Sequence, residues 1–436
     1  MRVQTIRIKP SHPAYQTAVS QLVESRRLHN TLNALAHESD AYSRNPDADT
    51  HIAQELELEQ WVQNKKFLGN YVPFEIARKT VEQKLNISLP QKVAQHIARE
   101  VAYAWKSYYA LRKINNRAGK PRYKKTYGIL QYTKQAISLV KQPGYLTPSG
   151  WAHGIKLPDY IDTSLIQAAR VLVKNSEVYL EIIHKTPKDV EQTTGSYNAA
   201  IDFGVDQLVT LVVDKPGYRP KTISGKPIKA VNQFANKQAA VWRAKLDQEA
   251  YNIWNKLDNK EEVNKGKISS KGLDRLWGKR HRRINHYLNS ASNALVKELA
   301  QAGVKNLVIG WSDGFKHNTS IGKRNNQNFV QIPHAKLRDM LIRKAQQAGI
   351  IVQVQEESYT SKASFLDEDK LPVHGASEVK PVFSGRRITR GQYRASTGQV
   401  IHADVNAAWN ILKKSNLPMR EARGIIVMPQ RLSFNH

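Results

Sequence analysis

The amino-acid sequence predicts an α/β C-terminal domain, a mixed sheet flanked by helices, preceded by an α-helical region and a small β-barrel. Three observations predict it. Between residues 14 and 115 apolar side chains recur at three- and four-residue spacing, and from 128 to 184 short stretches alternate with a period of two. After residue 198 the chain reads strand, turn, strand, then two helix–glycine–strand units and a closing helix.

The chain has 436 residues, with 67 Lys and Arg against 37 Asp and Glu, a formal charge of +30. Two to four domains are expected of that length. Such an excess calls for a polyanion, and nucleic acid fits best because clustered Lys and Arg are rewarded by counterion release. An acidic membrane surface fits less well, since no amphipathic helix carries a clean basic face. No run approaches the roughly 20 apolar residues of a membrane span. The start, "MRVQTIRIKP", alternates like a strand and has no apolar signal core, so a cytoplasmic protein without a membrane partner is expected. There is no cysteine. Disulfides, thiolate catalysis and cysteine zinc sites are thereby excluded, and no zinc is expected.

Residues 1–12 and 128–185 are expected to form the small β-barrel, or a sheet that takes up the first strand, with 13–127 a helical domain between them. In "LPQKVAQHIAREVAYAWKSYYALRK", Val93, Ile97, Val101, Ala104, Trp105, Tyr108 and Leu111 make one apolar stripe. Trp105 and Tyr108 read as core, while Tyr103 or Tyr109 could stack on bases. The helix runs into Arg112, Lys113, Arg117, Lys120, Arg122, Lys124 and Lys125 with no acid among them. Gly119 and Pro121 put this run on a loop, and Tyr123 and Tyr127 interleave with it, a pattern suited to tracking phosphates. A solvated charge run is the plainer alternative. Residues 186–197 are polar and read as a linker.

In the domain expected over 198–436, "NAAIDFGVDQLVTLVV" is a strand pair. Ile284, Leu288, Ala291, Leu295 and Leu299 form a helix stripe ended by Gly303 before "NLVIG". Leu337, Leu341, Ala345 and Ala348 repeat the pattern, with Gly349 before "IIVQV", which reads as a buried strand. Antiparallel strands first, α/β units later and a closing helix from Asp404 is the RNase H-like order.

Sites in open α/β sheets gather at the carboxyl ends of the parallel strands. Asp202 sits between Ile201 and Phe203, where a charge is costly unless paired or metal-bound. Glu356 and Glu357 leave the last parallel strand, and Asp404 opens the closing helix. Each has a plainer reading: a turn residue, solvated strand-end charges, a helix N-cap. Together they could hold two Mg²⁺ roughly 4 Å apart for phosphodiester hydrolysis.

The segments "AIDFGVDQLVTLV", "RLWGKRHRRINHYLNSAS", "ESYTSKASF" and "ADVNAAWNIL" together resemble the TnpB family, transposon-encoded RNA-guided DNA endonucleases related to type V CRISPR effectors. The resemblance is strongest from about 198 to 411. It makes the C-terminal domain a RuvC-like nuclease and implies Asp202 as the first carboxylate and Asp404 as the third. "AWKSYYALRK" and "GKPRYKK" look like the recognition and wedge regions, which the helical domain and the barrel would then be. The implied partners are a guide RNA from the transposon end and target double-stranded DNA with a short adjacent motif.

Two departures stand out. The family's second acid usually ends the strand that here reads "NLVIG", where this chain has Gly310, and its four-cysteine zinc ribbon is replaced by the insertion 361–400. Adjacent strands lie about 4.8 Å apart, so Glu356 or Glu357 could reach across as a relocated second carboxylate. Asp313 is a competitor and Asp367 a weaker one. Arg275, Lys279, Arg280, Arg282 and Arg283, with Trp277, and Arg386, Arg387, Arg390 and Arg394 would line the guide–target heteroduplex channel. Two rivals remain: a RuvC-inactivated RNA-guided DNA binder, and a guide-independent nucleic-acid binder.

Overall fold

The computed structural model describes residues 2–64, 68–159, 161–185, 194–254, 270–312, 331–372, 381–420 and 427–434. The chain forms two compact units, Met1–Pro187 and Lys188–His436. No helix among the described residues is long and apolar enough to cross a membrane. Most of the linker expected over 186–197 lies outside the described residues, as does Asp313.

In the first unit, β1 (Arg2–Ile8) precedes the helices α1 (Tyr15–Tyr42), α2 (His51–Glu55), α3 (Glu59–Gln63), α4 (Tyr71–Lys84) and α5 (Gln91–Ile114). The strands β2 (Leu130–Thr133), β3 (Ile137–Ser138), β4 (Tyr145–Pro148), β5 (Ile155–Lys156), β6 (Ile166–Lys174) and β7 (Glu177–His184) follow. β1 pairs antiparallel with β7 in the sheet β1-β7-β6-β2, and β3-β4-β5 form a second sheet. These are two open sheets; no pairing among the described residues closes them into the expected barrel. Helices and strands also share one core, in which Trp105, Phe74 and Leu32 pack with Leu130, Tyr132 and Leu180. Within that core, the Gln21 side chain on α1 accepts from Tyr132 (2.8 Å) and Trp151 (3.0 Å), bonding helix to sheet.

Along the α5 stripe Val93, Ile97, Val101, Trp105 and Tyr108 are buried and Ala104 is half-buried, but Leu111 is exposed because the helix outruns the core. The basic run that follows is laid along α1. Asn30 exchanges two 2.8 Å hydrogen bonds with the Lys124 backbone, while Asn33 and His37 bond the Pro121 carbonyl. Gly128 donates to the Leu22 carbonyl, and a Cβ there would strike Ser25 and the α1 backbone.

The second unit contains β8 (Tyr197–Phe203), β9 (Gln207–Val213), β10 (Lys221–Ser224), α6 (Lys226–Trp254), α7 (Lys271–Ala302) and β11 (Val304–Gly310). Then come α8 (His334–Gln347), β12 (Ile351–Gln355), β13 (Arg386–Thr389), β14 (Gln392–Arg394), β15 (Val400–His402), α9 (Ala403–Lys414) and β16 (Gln430–Arg431). The main sheet runs β12-β11-β8-β9-β10-β16. β8, β9 and β10 are antiparallel, whereas β11 is parallel to β8 and β12 to β11. Gly303, at φ 75°, ends α7 in the left-handed conformation that favours glycine and turns the chain into β11.

Strand alternation sorts the core. Ala199, Ile201, Leu307 and Ile309 face the α7 and α8 stripes, whereas Ala200 and Val308 face α9 through Val405, Ala408 and Ile411. β12 is the sheet's edge, with Ile351 and Val354 exposed at 42% and 48%. The expectation of a fully buried strand is corrected there: its apolar content satisfies one neighbour, not two.

Candidate active site

The alternation that sends Ala200 and Val308 toward α9 sends Asp202 and residue 310 the same way. Ile201 pairs with Ile309, so Asp202 and Gly310 come next to each other at the strand ends. Gly310 in turn pairs with Gln355 on β12. Two residues on, Glu357 turns back over Gly310: a Cβ built there would lie 3.2 Å from Glu357 Oε2 and would clash with Ile411 Cδ1. The absence of a side chain at 310 is what leaves room for the glutamate.

Glu357 and Glu356 part company at this point. The Glu356 carboxylate takes 2.5 Å from Lys414 Nζ and 2.6 Å from the Ser358 N–H. Burial works against its charge, but these bonds hold it below the ordinary range. The Glu356 carboxylate is drawn instead to Lys414 at the far end of α9, eleven residues past Ala403. Glu357 is pushed up to about 7, first by burial and then by the Glu356 charge, with a Ser312 hydrogen bond opposing.

Asp404 stands in the first turn of α9, and the N-cap is His402, whose Nδ1 accepts from the Asp404 N–H at 3.3 Å. Asp404 is therefore not spent as a cap. Its carboxylate lies 3.5 Å from Arg387 Nη2. Burial raises it, His402 and Arg387 lower it, and Asp206 raises it again. Asp202 is raised well above the usual range by burial, then by Asp404 and Glu357. Three acids thus share one electrostatic neighbourhood with Arg387 as counter-charge. Among the described residues no three His, Cys, Asp or Glu side chains are drawn together tightly enough to hold a metal ion as they stand. The donor set nevertheless fits a hard divalent cation: it is all carboxylate oxygen, and its members are partly buried and mutually repelling.

Asp206, four residues after Asp202, was not singled out from sequence; it bonds Lys229 at 2.5 Å and Arg390 at 3.1 Å. Asn406 and Asn410 were also missed. The Asn406 side chain accepts from the Phe365 N–H (2.9 Å) and donates to the Ala363 carbonyl (2.8 Å), while Asn410 donates to the Thr360 and Ala363 carbonyls. Two asparagines at i and i+4 in an otherwise apolar helix were the available signal. They fasten "YTSKASF" to α9 and thereby fix where Glu357 emerges. The insertion 361–400 is tied by acids: Asp369 accepts from Ser364 and Ser384, and Asp367 accepts from Ser396 through N–H (2.9 Å) and hydroxyl (2.6 Å). The weaker competitor, Asp367, is occupied in that way.

The basic residues divide similarly. Lys113, Arg117, Arg122 and Lys125 are exposed, but Lys120 pairs with Asp40 (2.7 Å) and Lys124 with Glu100 (2.8 Å). Arg112 bonds the Tyr108 hydroxyl, and Tyr123 stacks on His37 while remaining half exposed. Arg275, Lys279, Arg283, Arg386 and Arg394 are exposed, and Arg282 is half-buried. Arg280 differs from its neighbours: it bonds Asn232 (2.8 Å) and the Gln331 carbonyl, and lies over Trp277, so it braces α6 against α7. Arg387 and Arg390 engage Asp404 and Asp206.

Comparison with known proteins agrees with these motifs. Residues 181–312 match the OrfB_IS605 family model, described as a probable transposase, and residues 334–411 match the Cas12f1-like TNB domain. A TnpB-like protein, ORF457, of Acidianus two-tailed virus is 28% identical over 143 residues, 32% of this chain and 27% of that protein. Over these stretches the chain is similar to TnpB-like proteins, and it spans about a quarter of the length of the viral relative. Similar solved structures include a Cas12f1–sgRNA–target DNA complex (13% identity, 94% of this chain and 99% of that one, TM-score 0.29). Alicyclobacillus acidoterrestris C2c1 with single-guide RNA is another (9% identity, 89% and 69%, TM-score 0.38).

Proposed function

We propose that this protein is an RNA-guided DNA endonuclease whose RuvC-like, RNase H-like domain uses Asp202, Glu357 and Asp404 as its carboxylates. The single observation that supports it best is Glu357 Oε2 standing 3.2 Å from the missing Cβ of Gly310. An acid absent from one strand end is compensated by one from its neighbour, on the face that also carries Asp202 and adjoins Asp404. The strand order supports the fold reading, with parallel β11 and β12 on one side of the antiparallel β8, β9 and β10, and the short β16 on the other.

Asp202, Glu357 and Asp404 would hold the divalent cations, Mg²⁺ by the hardness of the donors. Such ions, when bound, activate a water and stabilise the leaving oxygen of a phosphodiester. The chain's own share is positional. Asp202 is fixed by the β8 ladder, Asp404 by the first turn of α9, and Glu357 by the loop that Asn406 and Asn410 hold. Arg387 contributes positive charge beside Asp404, where it can meet a phosphate. The exposed basic residues of each unit supply phosphate contacts for the guide RNA and target, with specificity left to base pairing.

A binding-only reading rests on Gly310 alone, and the proximity of Glu357 speaks against it. The test is cleavage of a matched plasmid with Mg²⁺ and the RNA that co-purifies with the protein. Guide-dependent cutting is the expected result; binding of the target without cutting would return the reading to an inactivated binder.

A further inference from the structure

On the opposite face of the main sheet from Asp202, a cavity of about 510 Å³ opens between the start of α6 and the middle of α7. Its floor is apolar: Ile228, Val231, Ile284 and Tyr287, of which Ile228, Ile284 and Tyr287 are at most 5% exposed. Its rim is basic, from Arg282, Arg283 and His286 on α7. The volume falls within the roughly 300–1,000 Å³ of pockets for small-molecule-sized groups. The floor is rigid, because the Tyr287 hydroxyl donates to the Ser224 carbonyl at 2.6 Å and its ring packs against Phe434 at 5.4 Å.

We propose that this cavity receives a single unpaired nucleobase of a bound nucleic-acid strand, with the adjoining phosphate held by Arg282 and Arg283. The proposal deepens the nucleic-acid reading above and rests on it. A planar apolar face joined directly to an anion is the chemistry that an apolar floor inside an arginine rim recognises. Paired bases hide those faces in the stack, so a duplex offers the rim its phosphates but leaves the floor unfilled. A second, much smaller recess shares Val231 and Arg283 with the cavity and adds Phe234 and Lys279. Phe234 is 52% exposed, a ready platform for the neighbouring base. The site lies on the α7 face of the sheet and is separate from the carboxylates on the α9 face.

The full-length protein would be titrated with short RNA and DNA strands carrying one 2-aminopurine, and with the same base inside a duplex. Fluorescence and anisotropy are read together. A fluorescence change with the single strand but not the duplex is expected, and the RNA and DNA arms identify which strand is taken. Val231→Trp, which fills the cavity and leaves both arginines, should abolish the change and weaken single-strand affinity about ten-fold more than duplex affinity. Retention of the change in that variant overturns the proposal, as does an equal response from the duplex. Should Val231→Trp fail to fold, Arg283→Ala, at an exposed position, decides: an unaltered response and affinity overturn it. These readouts need no cleavage, so an inactive parent would strike the nuclease reading without touching this one.

Discussion

Gly310 and Glu357 are close neighbours: a Cβ on Gly310 would stand 3.2 Å from the Glu357 carboxylate while striking Ile411. The pairing is steric before it is catalytic. Gly310→Ala should therefore be costly although its backbone is ordinary strand, since the new methyl meets Ile411 and crowds Glu357. Overpacking of this kind costs about 1–3 kcal/mol, read as a drop in Tm, and cleavage should fall with it. Ile411→Val in the same chain should recover part of the stability but not the position of Glu357. A fully active, equally stable Gly310→Ala protein would show that the two residues are not coupled.

Glu357 makes the metal-free protein sensitive to pH. Its folded value of about 7 lies above the ordinary 4.5, so between those limits the native state holds a proton that the unfolded chain has released. Stability from this group is present in full below about 4.5 and is lost as pH rises through 7. In EDTA, Tm should decline from pH 5 to pH 8 more steeply for the parent than for Glu357→Gln, by an amount worth up to about 2 kcal/mol. Divalent cations, which favour the ionised carboxylate, should flatten the parent's slope. Identical slopes for parent and variant in EDTA would contradict the burial argument.

Much of this site could be read from local pattern. A charge inside "AIDF" and an acid opening "DVNAAWN" have few local explanations, and the helix–glycine–strand repeats set the direction of β11 and β12. What escaped depended on partners distant in sequence. Glu356 and Glu357 are indistinguishable until Lys414, 58 residues away, claims the first. Arg280 resembles its exposed neighbours until Asn232 and Gln331 engage it. β12 reads as buried because apolar content does not reveal whether a second neighbouring strand exists, and alternation does not by itself decide between a barrel and open sheets.

Asn406→Ala should uncouple the loop from the helix. It removes the acceptor of the buried Phe365 N–H, at a cost of about 1–3 kcal/mol, and one of the two donors to the Ala363 carbonyl, which Asn410 still bonds. Hydrogen exchange at residues 360–365 should accelerate, and cleavage should fall because Glu357 loses its support. Unchanged exchange there would remove the asparagines from the account.

The basic residues should separate by role. Alanine at Lys113, Arg117 and Arg122 should weaken RNA binding without altering Tm, and reduce the salt slope by about one for each phosphate no longer neutralised. Arg280→Ala should do the reverse, lowering Tm through the α6–α7 brace. Equal effects of both on RNA affinity and stability would refute the division.

The most direct measurement compares guide-directed plasmid cleavage in Mg²⁺ by Glu357→Gln and Glu356→Gln, with target binding measured alongside. Removing mere outer partners of metal ligands costs about 10- to 100-fold. Glu357→Gln should therefore lose about 100-fold or more in cleavage rate while still binding target, and Glu356→Gln should stay within a few-fold of the parent. Equal rates for Glu357→Gln and the parent, or the loss falling on Glu356→Gln instead, would contradict the assignment.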